Sequence, residues 1–409
     1  MNVLFLVTQF PMLSETFILS QMTGLLDRGH DVRVVGTTRA DPAGQGSGLR
    51  HGSIDRYGLM ERSDALTTHA QPTRAERWAQ LWRRPGLGIR SLAAWRYGYK
   101  SLNGNLLHLA SGWPEFTGGY KPDVVLAHFG YQGDLAVCLR SLGLFAAPVA
   151  TVVHGVDMSR PLSEGRPIYP RLRRAGDLML PISQRWKGEL LKAGFDAERV
   201  KVHHVGIRVP ETLAPREPWA GTLRLLSVCR LVEKKGIGDA LSAVKRLLDA
   251  GRDVRYTVVG DGPLDEALRA EASALGLGSA VEFRGALTTE QVEVAMNQHD
   301  VMLAPSATTA DGDQEGIPTS MMEAMAAGLV VVSTFHSGIP ELVTDGEEGH
   351  LVPEHDIAGL AEKVEALLAA PEAEVIRIRE AAFEKVRTEF SIETLNDQLV
   401  QRLSMLASG

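Results

Sequence analysis

The sequence predicts an α/β protein made of two Rossmann-like domains that face each other across a cleft. Its 409 residues exceed the length at which a single hydrophobic core usually stops growing. Short apolar runs alternate with amphipathic helical patterns along the chain, which is typical of parallel sheets with crossover helices. A proline-rich, weakly periodic stretch near residues 205 to 220 separates two such series and indicates a linker.

The first series begins with a strand at NVLFLVT, a helix at ETFILSQMTGLLDRG and a strand at DVRVVGT. After a long insert, three further strands are predicted at DVVLAHF, PVATVVHG and LMLPIS. The helices DLAVCLRSLG and ISQRWKGELLKAG accompany them. Nearly continuous apolar runs are expected of parallel strands that are buried on both faces. This series defines a predicted N-terminal domain over residues 1–205.

The second series contains five predicted strands, LRLLSVCR, VRYTVVGDG, AVEFRGAL, DVMLAPS and VVVST. The helices between them are GIGDALSAVKRLLDAG, LDEALRAEASALG, TEQVEVAMNQ and SMMEAMAAG. This is one complete doubly wound unit, and it defines a second domain over residues 206–385. The remaining residues, 386–409, are predicted to be helical.

Composition excludes several classes of protein. A net charge of −7 gives no reason to expect nucleic-acid binding. Only two cysteines, Cys138 and Cys229, occur, both in apolar runs, which argues against a disulfide framework or a zinc site. The N-terminus shows no leader pattern, and no apolar run reaches the roughly 20 residues that a bilayer needs. We therefore expect a cytoplasmic protein.

Common phosphate-binding fingerprints are absent from the turns where they would be expected. The first strand is followed by FLVTQFPMLSE and the first strand of the second series by SVCRLVEKKG. Neither contains the G-x-G-x-x-G of dinucleotide-binding domains, and no G-x-x-x-x-G-K-[ST] occurs. A nicotinamide-dependent dehydrogenase and a P-loop enzyme are therefore disfavoured.

The segment QEGIPTSMMEAMAAG places two carboxylates around a helix start. Pro318 suits the first turn of a helix and Gly328 its C-terminal cap. The free N–H groups and positive dipole end of such a helix favour phosphate oxygens. Glu315 lies just outside that position, and Glu323 lies further along the helix with apolar neighbours on nearly all sides, which disfavours an ordinary solvated residue. We expect the pair to bind hydroxyl groups on either side of a phosphate.

Three motifs together resemble retaining glycosyltransferases of family 4, which have the GT-B fold. They are the E-x7-E pair of Glu315 and Glu323, the R-x4-K arrangement of Arg230 and Lys235, and the GDGP sequence at residues 260–263. The likeness covers most of residues 220–355. The opening FPMLSETFI further resembles the subgroup that builds exopolysaccharides such as colanic acid.

The resemblance implies a donor site for a nucleoside-diphosphate sugar in the second domain. Glu315 would contact sugar hydroxyls, Glu323 would hold the ribose diol, and Arg230 and Lys235 would neutralise the leaving diphosphate. The implied catalytic residues are His154, Arg230, Lys235 and Glu315. The implied donor-binding residues are Arg230, Lys235, Gly262, Arg284, Glu315, Gly316, Ile317, Pro318, Thr319 and Glu323. No cofactor and no dedicated metal are expected.

The resemblance also makes the first domain the acceptor-binding domain. Residues 386–409, with a C-terminal helix that begins after Phe390, are expected to pack back on it. His154 occupies the position of a cleft histidine near the donor sugar, and Asp157 follows it. Acceptor contacts are predicted for Ser14, Glu15, Thr16, His128 and Asp157. For the first three residues, a helix N-cap at Ser14 is an equally good explanation, and His128 is as well explained as a structural histidine.

Asp311 and Asp313 form a D-G-D sequence that resembles the metal-binding D-x-D motif of another glycosyltransferase fold. Such a site requires its own strand-loop context in a single domain. Here two Rossmann-like units and basic phosphate ligands are present instead. We interpret the two aspartates as polar loop residues.

The insert between residues 74 and 100 is basic and aromatic, although the protein as a whole is acidic. Cations facing anionic lipid, with indole rings at headgroup depth, are typical of an interfacial segment. The hypothesis is peripheral contact with the inner face of a membrane or with a lipid-linked acceptor. The alternative is a set of helices packed on the first domain with solvated arginines.

The function that follows is transfer of a sugar from a nucleoside diphosphate to a hydroxyl of a carbohydrate or lipid-linked acceptor. By family likeness the reaction would retain the anomeric configuration in polysaccharide or glycoconjugate biosynthesis. One alternative is a sugar-nucleotide epimerase of the same fold. Another is a non-catalytic sugar-nucleotide-binding subunit of a polysaccharide assembly complex.

Overall fold

The structure is a computed structural model that describes residues 1–12, 16–39, 52–65, 113, 119–216, 219 and 221–409. The chain forms two compact units. Unit 1 contains Met1–Ile182, Trp186–His203 and Asn396–Gly409, and unit 2 contains Ser183–Arg185 and His204–Leu395. The predicted boundary after residue 205 lies close to the start of the main segment of unit 2. The predicted boundary after residue 385 falls inside a helix of unit 2.

Unit 1 is built on a six-stranded parallel sheet with the order β3-β2-β1-β4-β5-β6. The strands are β1 (Asn2–Phe10), β2 (Asp31–Arg39), β3 (Ser63–Ala65), β4 (Val124–His128), β5 (Val149–Val153) and β6 (Leu178–Pro181). This is the Rossmann order, in which the direction of strand addition reverses between β1 and β4. All residues of β4 and β5 are buried, as their apolar runs predict.

The helices of unit 1 cover this sheet. They are α1 (Thr16–Asp27), α2 (Gly52–Arg56), α3 (Gly130–Ser141), α4 (Gly155–Ser163), α5 (Pro170–Ala175) and α6 (Gln184–Lys192), whose first two residues belong to unit 2. The buried side of α1 includes Ile18, Leu19, Met22 and Leu25, which recur at the spacing of one helical face.

Unit 2 repeats the same architecture, with the order β12-β11-β10-β7-β8-β9 and parallel pairing throughout. Its strands are β7 (Leu223–Val228), β8 (Val254–Val259), β9 (Val281–Gly285), β10 (Val301–Ala304), β11 (Val330–Thr334) and β12 (Gly349–Val352). Here the order reverses between β7 and β10.

Two hydrophobic clusters fill the two faces of the second sheet. Val330 and Val332 belong to one cluster, whereas Val331 belongs to the other, as expected when successive side chains point to opposite faces. The helices are α7 (Ile237–Asp249), α8 (Asp265–Ala274), α9 (Thr289–Gln298), α10 (Thr319–Ala326), α11 (Ile339–Leu342), α12 (Ile357–Ala369), α13 (Glu372–Glu389) and α14 (Ile392–Ser408).

The structure contains elements that the sequence patterns did not predict. The strand β12 is only four residues long, and α4, α5 and α11 are short helices next to strand ends. The helical tail, in contrast, is divided at Phe390 as the sequence predicts, and Ile207 and Ser391 form an isolated parallel bridge just after it. From Asn396 onward, α14 belongs to unit 1, where the Arg28 side chain contacts the Asp397 carboxylate at 2.6 Å.

Among the described residues, no helix combines the length and the apolar character that crossing a bilayer requires. The predicted interfacial segment, residues 74–100, lies outside the described residues.

Candidate active site

A charged cluster lies at the carboxyl edge of the second sheet, where the strand order reverses. Lys235 follows β7 and Glu315 follows β10, and these two strands are neighbours in the sheet. Ligands of open α/β sheets bind at such reversal points, outside the carboxyl ends of the strands. The topology of unit 2 thus brings together residues that lie 80 positions apart in the sequence.

Glu315 is held between two lysines. Its Oε2 accepts a hydrogen bond from Lys235 Nζ at 2.6 Å, and its Oε1 lies 3.2 Å from Lys234 Nζ. The carboxylate side chain is only 13% exposed. Burial raises the pKa of Glu315, but the two ammonium groups lower it by more, so that the net pKa lies below its ordinary value. Glu315 is therefore ionised at neutral pH.

The lysines are placed by a single helical turn, Glu233–Lys235, which ends at Gly236. Gly236 has φ 63°, and a Cβ atom there would lie 1.9 Å from the carbonyl oxygen of Pro305. Only glycine fits this left-handed position against the chain that leaves β10. The same contact region includes a hydrogen bond from the Ala307 N–H to the Lys234 carbonyl at 3.0 Å.

The two predicted cations, Arg230 and Lys235, differ in their surroundings. Lys235 contacts Glu315, together with Lys234, which the sequence analysis did not assign to the site. Arg230 is exposed, and its guanidinium makes no ion pair within the described ranges. The adjacent lysines in EKKG were the available signal for Lys234.

The helix that follows Glu315 lies where the sequence predicts it, although Pro318 precedes its first turn instead of standing in it. α10 begins at Thr319, with Pro318 in the cap position, and ends before Gly328, which has φ 79°. Ile317 is 9% exposed and lies in a core cluster, which anchors the loop next to Gly316. A shallow pocket in front of the helix start is lined by Ser227, Cys229, Lys235, Ser306, Pro318 and Ser320. First-turn N–H groups of a helix have no intrahelical partner and favour anions.

Glu323 differs from the expectation drawn from its neighbours. Met322, Ala324 and Met325 are buried, but Glu323 itself is exposed, because the 3.6-residue period turns it away from the core. The surrounding protein atoms, and then the Glu293 carboxylate, raise the pKa of Glu323 above its ordinary value. Within the part of the chain that the structure describes, its carboxylate has no hydrogen-bond partner.

The glycines of GDGP are required by packing between two turns. A Cβ atom at Gly260 would lie 1.8 Å from the carbonyl oxygen of Cys229, and one at Gly262 would lie 2.4 Å from that of Leu231. The Leu231 N–H also donates to the Asp261 carbonyl at 2.9 Å. The motif therefore holds the turn after β8 against the turn after β7, next to Arg230.

The predicted nucleobase segment ends β9. The Arg284 side chain is exposed and pairs with Glu282 at 3.0 Å. The ring of Phe283 packs against a core cluster, with the Arg269 guanidinium 4.9 Å from the ring centroid. The contact of this segment with a nucleobase stays a prediction.

A buried histidine supports the Glu315 loop from the neighbouring strand ends. The Glu315 N–H donates to His336 Nε2 at 3.0 Å, and His336 Nδ1 lies 2.5 Å from Glu354 Oε1. Glu354 also accepts a hydrogen bond from the Thr308 N–H at 2.8 Å. His336 follows β11 and Glu354 follows β12. The sequence analysis missed both residues, since a histidine and a glutamate 18 positions apart form no motif.

The carboxyl edge of the first sheet is different in character. His154 follows β5, and His128 ends β4; the two rings are stacked, with His128 Nδ1 3.4 Å from His154 Nε2. Burial lowers the pKa of His154 to about 3. Burial, and then His154 and His203, lower the pKa of His128 well below its ordinary value. Both imidazoles are therefore neutral.

Asp157 supports this pair through the backbone. Its Oδ1 accepts a hydrogen bond from the His154 N–H at 2.8 Å, and its Oδ2 accepts one from the Gly130 N–H at 2.6 Å. Burial raises the pKa of Asp157 to about 7, against the effect of these N–H donors. Of the predicted acceptor residues, His128 and Asp157 are buried here. Both contact His154, and neither side chain is exposed to solvent.

The remaining predicted acceptor residues lie at the start of α1. Thr16 is exposed and is the first residue of that helix, whereas Ser14 and Glu15 lie outside the described residues. Aromatic side chains that the sequence analysis did not single out surround His154. The rings of Phe17 and Phe129 each lie 4.7 Å from it, and the half-exposed Tyr131 stacks on Phe129.

The D-G-D sequence forms a hydrogen-bonded turn. Thr309 Oγ1 donates to Asp311 Oδ1, and Asp313 lies 3.0 Å from Lys234 Nζ. Asp313 is thus paired with a cation of the Glu315 cluster. Within the described ranges, no three His, Cys, Asp or Glu side chains form a group suited to a metal ion.

Comparison with known proteins relates this geometry to a family. Residues 14–209 match the model described as "Glycosyltransferase Family 4", and residues 214–384 match "Glycosyl transferases group 1". The amylovoran biosynthesis glycosyltransferase AmsK of Erwinia amylovora is 37% identical, with 100% of both chains covered. A protein of Escherichia coli K12 named as the colanic acid biosynthesis glycosyltransferase WcaL is 36% identical over 99% of this chain and 100% of its own.

Solved structures show the same fold. The crystal structure of Anabaena HepE in complex with UDP has a TM-score of 0.73 and 18% sequence identity, and it covers 99% of this chain and 100% of the other. Sucrose-phosphate synthase of Thermosynechococcus elongatus has a TM-score of 0.72. The predicted α/β class with two Rossmann-like domains of GT-B type is confirmed. Both family models match, and the chain is 36–37% identical over its whole length to the glycosyltransferases WcaL and AmsK. The chain is therefore a glycosyltransferase that belongs to family 4.

Proposed function

We propose that the protein transfers a sugar from a nucleoside-diphosphate sugar to a hydroxyl of a carbohydrate or lipid-linked acceptor in exopolysaccharide biosynthesis, with retention at the anomeric carbon. The observation that carries this proposal is the ionised Glu315 held by two lysines in front of the start of α10. The full-length relatives named for colanic acid and amylovoran biosynthesis support the pathway.

The donor is proposed to lie across the carboxyl edge of unit 2. Glu315 accepts hydrogen bonds from sugar hydroxyls, and the diphosphate lies against the helix start at Pro318 and Thr319. Arg230, whose guanidinium is exposed, and Lys235 neutralise the diphosphate. The exposed Glu323 binds the ribose diol. Because Anabaena HepE was solved with UDP, uridine diphosphate sugars are the first donors to test.

The chemical step follows from this placement. The bond between the anomeric carbon and the diphosphate oxygen breaks, and a bond from that carbon to the acceptor oxygen forms on the same face. The proton of the acceptor hydroxyl passes to the departing phosphate oxygen. Arg230, Lys235 and the helix start stabilise the charge that develops on the diphosphate. His154, being neutral, is proposed to hydrogen-bond a sugar hydroxyl.

No metal is part of this proposal, because the cations that the diphosphate requires are side chains of unit 2. Turnover in the presence of excess EDTA should equal turnover without it. A loss of activity that Mg²⁺ or Mn²⁺ restores would show that a metal replaces Arg230 and Lys235 in that role.

The test is donor hydrolysis and transfer by the purified protein. A panel of uridine, guanosine and adenosine diphosphate sugars is incubated with and without lipid-linked acceptor extract, and the release of nucleoside diphosphate is measured. Nuclear magnetic resonance of the product gives the anomeric configuration. If no donor yields nucleoside diphosphate under either condition, the transferase proposal fails and a non-catalytic binding subunit remains. Interconversion of the donor sugar without release would indicate the epimerase.

A further inference from the structure

The loop that carries Glu315 is fixed from three strand ends by a connected set of hydrogen bonds. Thr308 follows β10, His336 follows β11 and Glu354 follows β12, and these strands are successive neighbours in the sheet. The set ends at the backbone N–H of Glu315, not at its side chain. Its effect is therefore on where the Glu315 backbone lies.

The direction of these hydrogen bonds assigns the tautomer of His336. A backbone N–H can only donate, so His336 Nε2, which lies 3.0 Å from the Glu315 nitrogen, must be the acceptor and carries no proton. The ring proton then lies on Nδ1 and is donated to Glu354 Oε1 at 2.5 Å. A carboxylate that fixes the tautomer of a histidine in this way is a recurrent device of enzyme sites.

The Glu354 carboxylate is itself oriented. Its Oε2 accepts a hydrogen bond from the Thr308 N–H at 2.8 Å, and its Oε1 accepts one from Thr308 Oγ1 at 3.2 Å. The Gln314 side-chain amide also lies 3.3 Å from Thr308 Oγ1. Both ends of the loop from Thr308 to Glu315 are thus connected to Glu354.

His336 is fully buried, and the Glu315 side chain is held by Lys234 and Lys235. The lysines therefore position the carboxylate, and His336 positions the backbone from which it extends. We propose that His336 and Glu354 are positioning residues that set the sugar-facing geometry of Glu315, and so the affinity for the sugar portion of the donor. This inference rests on the proposed role of Glu315 toward donor hydroxyls.

The two amide substitutions at His336 separate this role from general packing. In His336→Gln, the terminal amide can offer an acceptor to the Glu315 N–H and a donor to Glu354, as the neutral ring does. In His336→Asn, the shorter side chain can still donate to Glu354, but it leaves the buried Glu315 N–H without an acceptor. An unpaired buried donor is costly, whereas a replaced hydrogen bond is not.

The readout is the affinity for two ligands, measured by calorimetric titration. One ligand is the nucleoside-diphosphate sugar that the wild-type protein hydrolyses, with UDP-sugars tried first, and the other is the corresponding nucleoside diphosphate alone. We expect His336→Asn to weaken nucleotide-sugar binding about tenfold while leaving nucleoside-diphosphate binding unchanged. His336→Gln should restore most of that loss. A purely structural role would weaken both ligands or neither.

Glu354→Gln provides a second variant. The amide nitrogen of the new glutamine can take either of two positions. In the first it faces the Thr308 N–H, which is also a donor. In the second it faces His336 Nδ1 and forces the ring proton onto Nε2, where that proton points at the Glu315 N–H. In either position two hydrogen-bond donors face each other. We therefore expect Glu354→Gln to weaken nucleotide-sugar binding as His336→Asn does. The control is His355→Asn, because His355 also pairs with a carboxylate, Asp239 at 2.9 Å, but is 65% exposed.

The outcomes distinguish this inference from the proposed function. If the wild-type protein binds no nucleotide sugar and releases no nucleoside diphosphate, the proposed function itself fails. If the wild-type protein is active and His336→Asn keeps the wild-type ratio of the two affinities, the positioning role is wrong. An equal loss in His336→Asn and His336→Gln would also overturn it, because the acceptor atom would then not matter.

Discussion

The carboxyl edges of the two sheets share a strand order but use opposite electrostatics. In unit 2 the edge carries an ionised glutamate between two ammonium groups, with an exposed arginine nearby. In unit 1 the corresponding edge carries two buried, neutral imidazoles and a buried aspartate, whose carboxylate accepts hydrogen bonds from two backbone N–H groups. The same topology therefore carries an ionised, ion-paired carboxylate at one edge and buried neutral imidazoles at the other.

The difference arises from the residues that follow the strands, not from the strands themselves. β4 and β5 are as completely buried as β11 in unit 2. After β7 the chain forms a turn that ends in two largely buried lysines. After β4 and β5 it instead enters α3 and α4 directly, with aromatic residues packed around the histidines. Burial of those rings removes their charge, and ion pairing at Glu315 preserves its charge.

The largest expected effect is that of Glu315→Gln. The amide keeps hydrogen-bonding capacity but loses both ion pairs. Lys235 then has no counter-charge among the described residues, whereas Lys234 keeps its ion pair with Asp313. We expect kcat/KM for the donor to fall by about 10²–10³-fold, as is typical when a charge-stabilising group in a site is removed.

The matched control for Glu315→Gln is Asp311→Asn, which makes the same chemical change in the same loop at an exposed position. Its donor kinetics should equal those of the wild-type protein. If Asp311→Asn abolished activity while Glu315→Gln remained active, the D-G-D sequence would be the site and the comparison of edges would have to be abandoned.

The second prediction concerns acid stability. The lowered pKa of His128 and of His154 means that the unfolded state binds more protons as the pH falls below about 6.5, so each imidazole lowers the free energy of unfolding by about 1.4 kcal/mol per pH unit. Asp157, whose pKa is raised to about 7, acts in the opposite sense between that value and its ordinary pKa.

Unit 1 should therefore lose stability as the pH falls below about 6.5, by about 1.4 kcal/mol per pH unit while both histidines stay neutral in the folded state. Glu315, whose pKa is lowered, contributes stability that is lost only in the more acidic range. Hydrogen exchange of the β4 and β5 amides at pH 7, 6 and 5, corrected for intrinsic rates, measures this. His154→Asn should flatten the slope, and an unchanged slope in that variant would contradict the assignment to the histidines of unit 1.

The third prediction tests whether the charged edge is held by the backbone. Gly236→Ala introduces a Cβ atom 1.9 Å from the Pro305 carbonyl oxygen, which displaces the turn that carries both lysines. Gly251, at the other end of α7, has φ 72° and open space around it. Both alanine variants have the same left-handed strain, so the difference between them reports the clash.

We expect Gly236→Ala to lower the free energy of unfolding by about 1–3 kcal/mol more than Gly251→Ala. Urea denaturation followed by circular dichroism measures both variants, and donor hydrolysis should fall only for Gly236→Ala. Equal stability and equal activity of the two variants would show that the lysine turn is not held by its contact with Pro305.

The smallest predicted effect is that of Glu323→Gln. This side chain is exposed and without a protein partner in the described residues, so the substitution should leave stability unchanged. Because hydrogen bonds to a charged acceptor are stronger than those to a neutral one, nucleoside-diphosphate binding should weaken about tenfold. Calorimetry against UDP and against inorganic pyrophosphate, which has no ribose, provides the control; equal losses for both ligands would remove the ribose assignment.

Much of the fold could be predicted because its signals are local. The apolar runs of β1, β4, β7 and β10 identify buried parallel strands, and Pro318 and Gly328 identify the two ends of α10. The short β12 and α11 were missed, because four residues carry no measurable period.

The sequence by itself determined the fold class and the family, and it predicted Glu315 and Glu323 as site residues, because these depend on residue type and on spacing within one segment. The tertiary structure decided which partners those groups have. Lys234, His336 and Glu354 reach Glu315 only because β7, β10, β11 and β12 end at the same edge of one sheet. It also decided charge, since burial and ion pairing, which make His154 neutral and keep Glu315 ionised, depend on packing and not on sequence order.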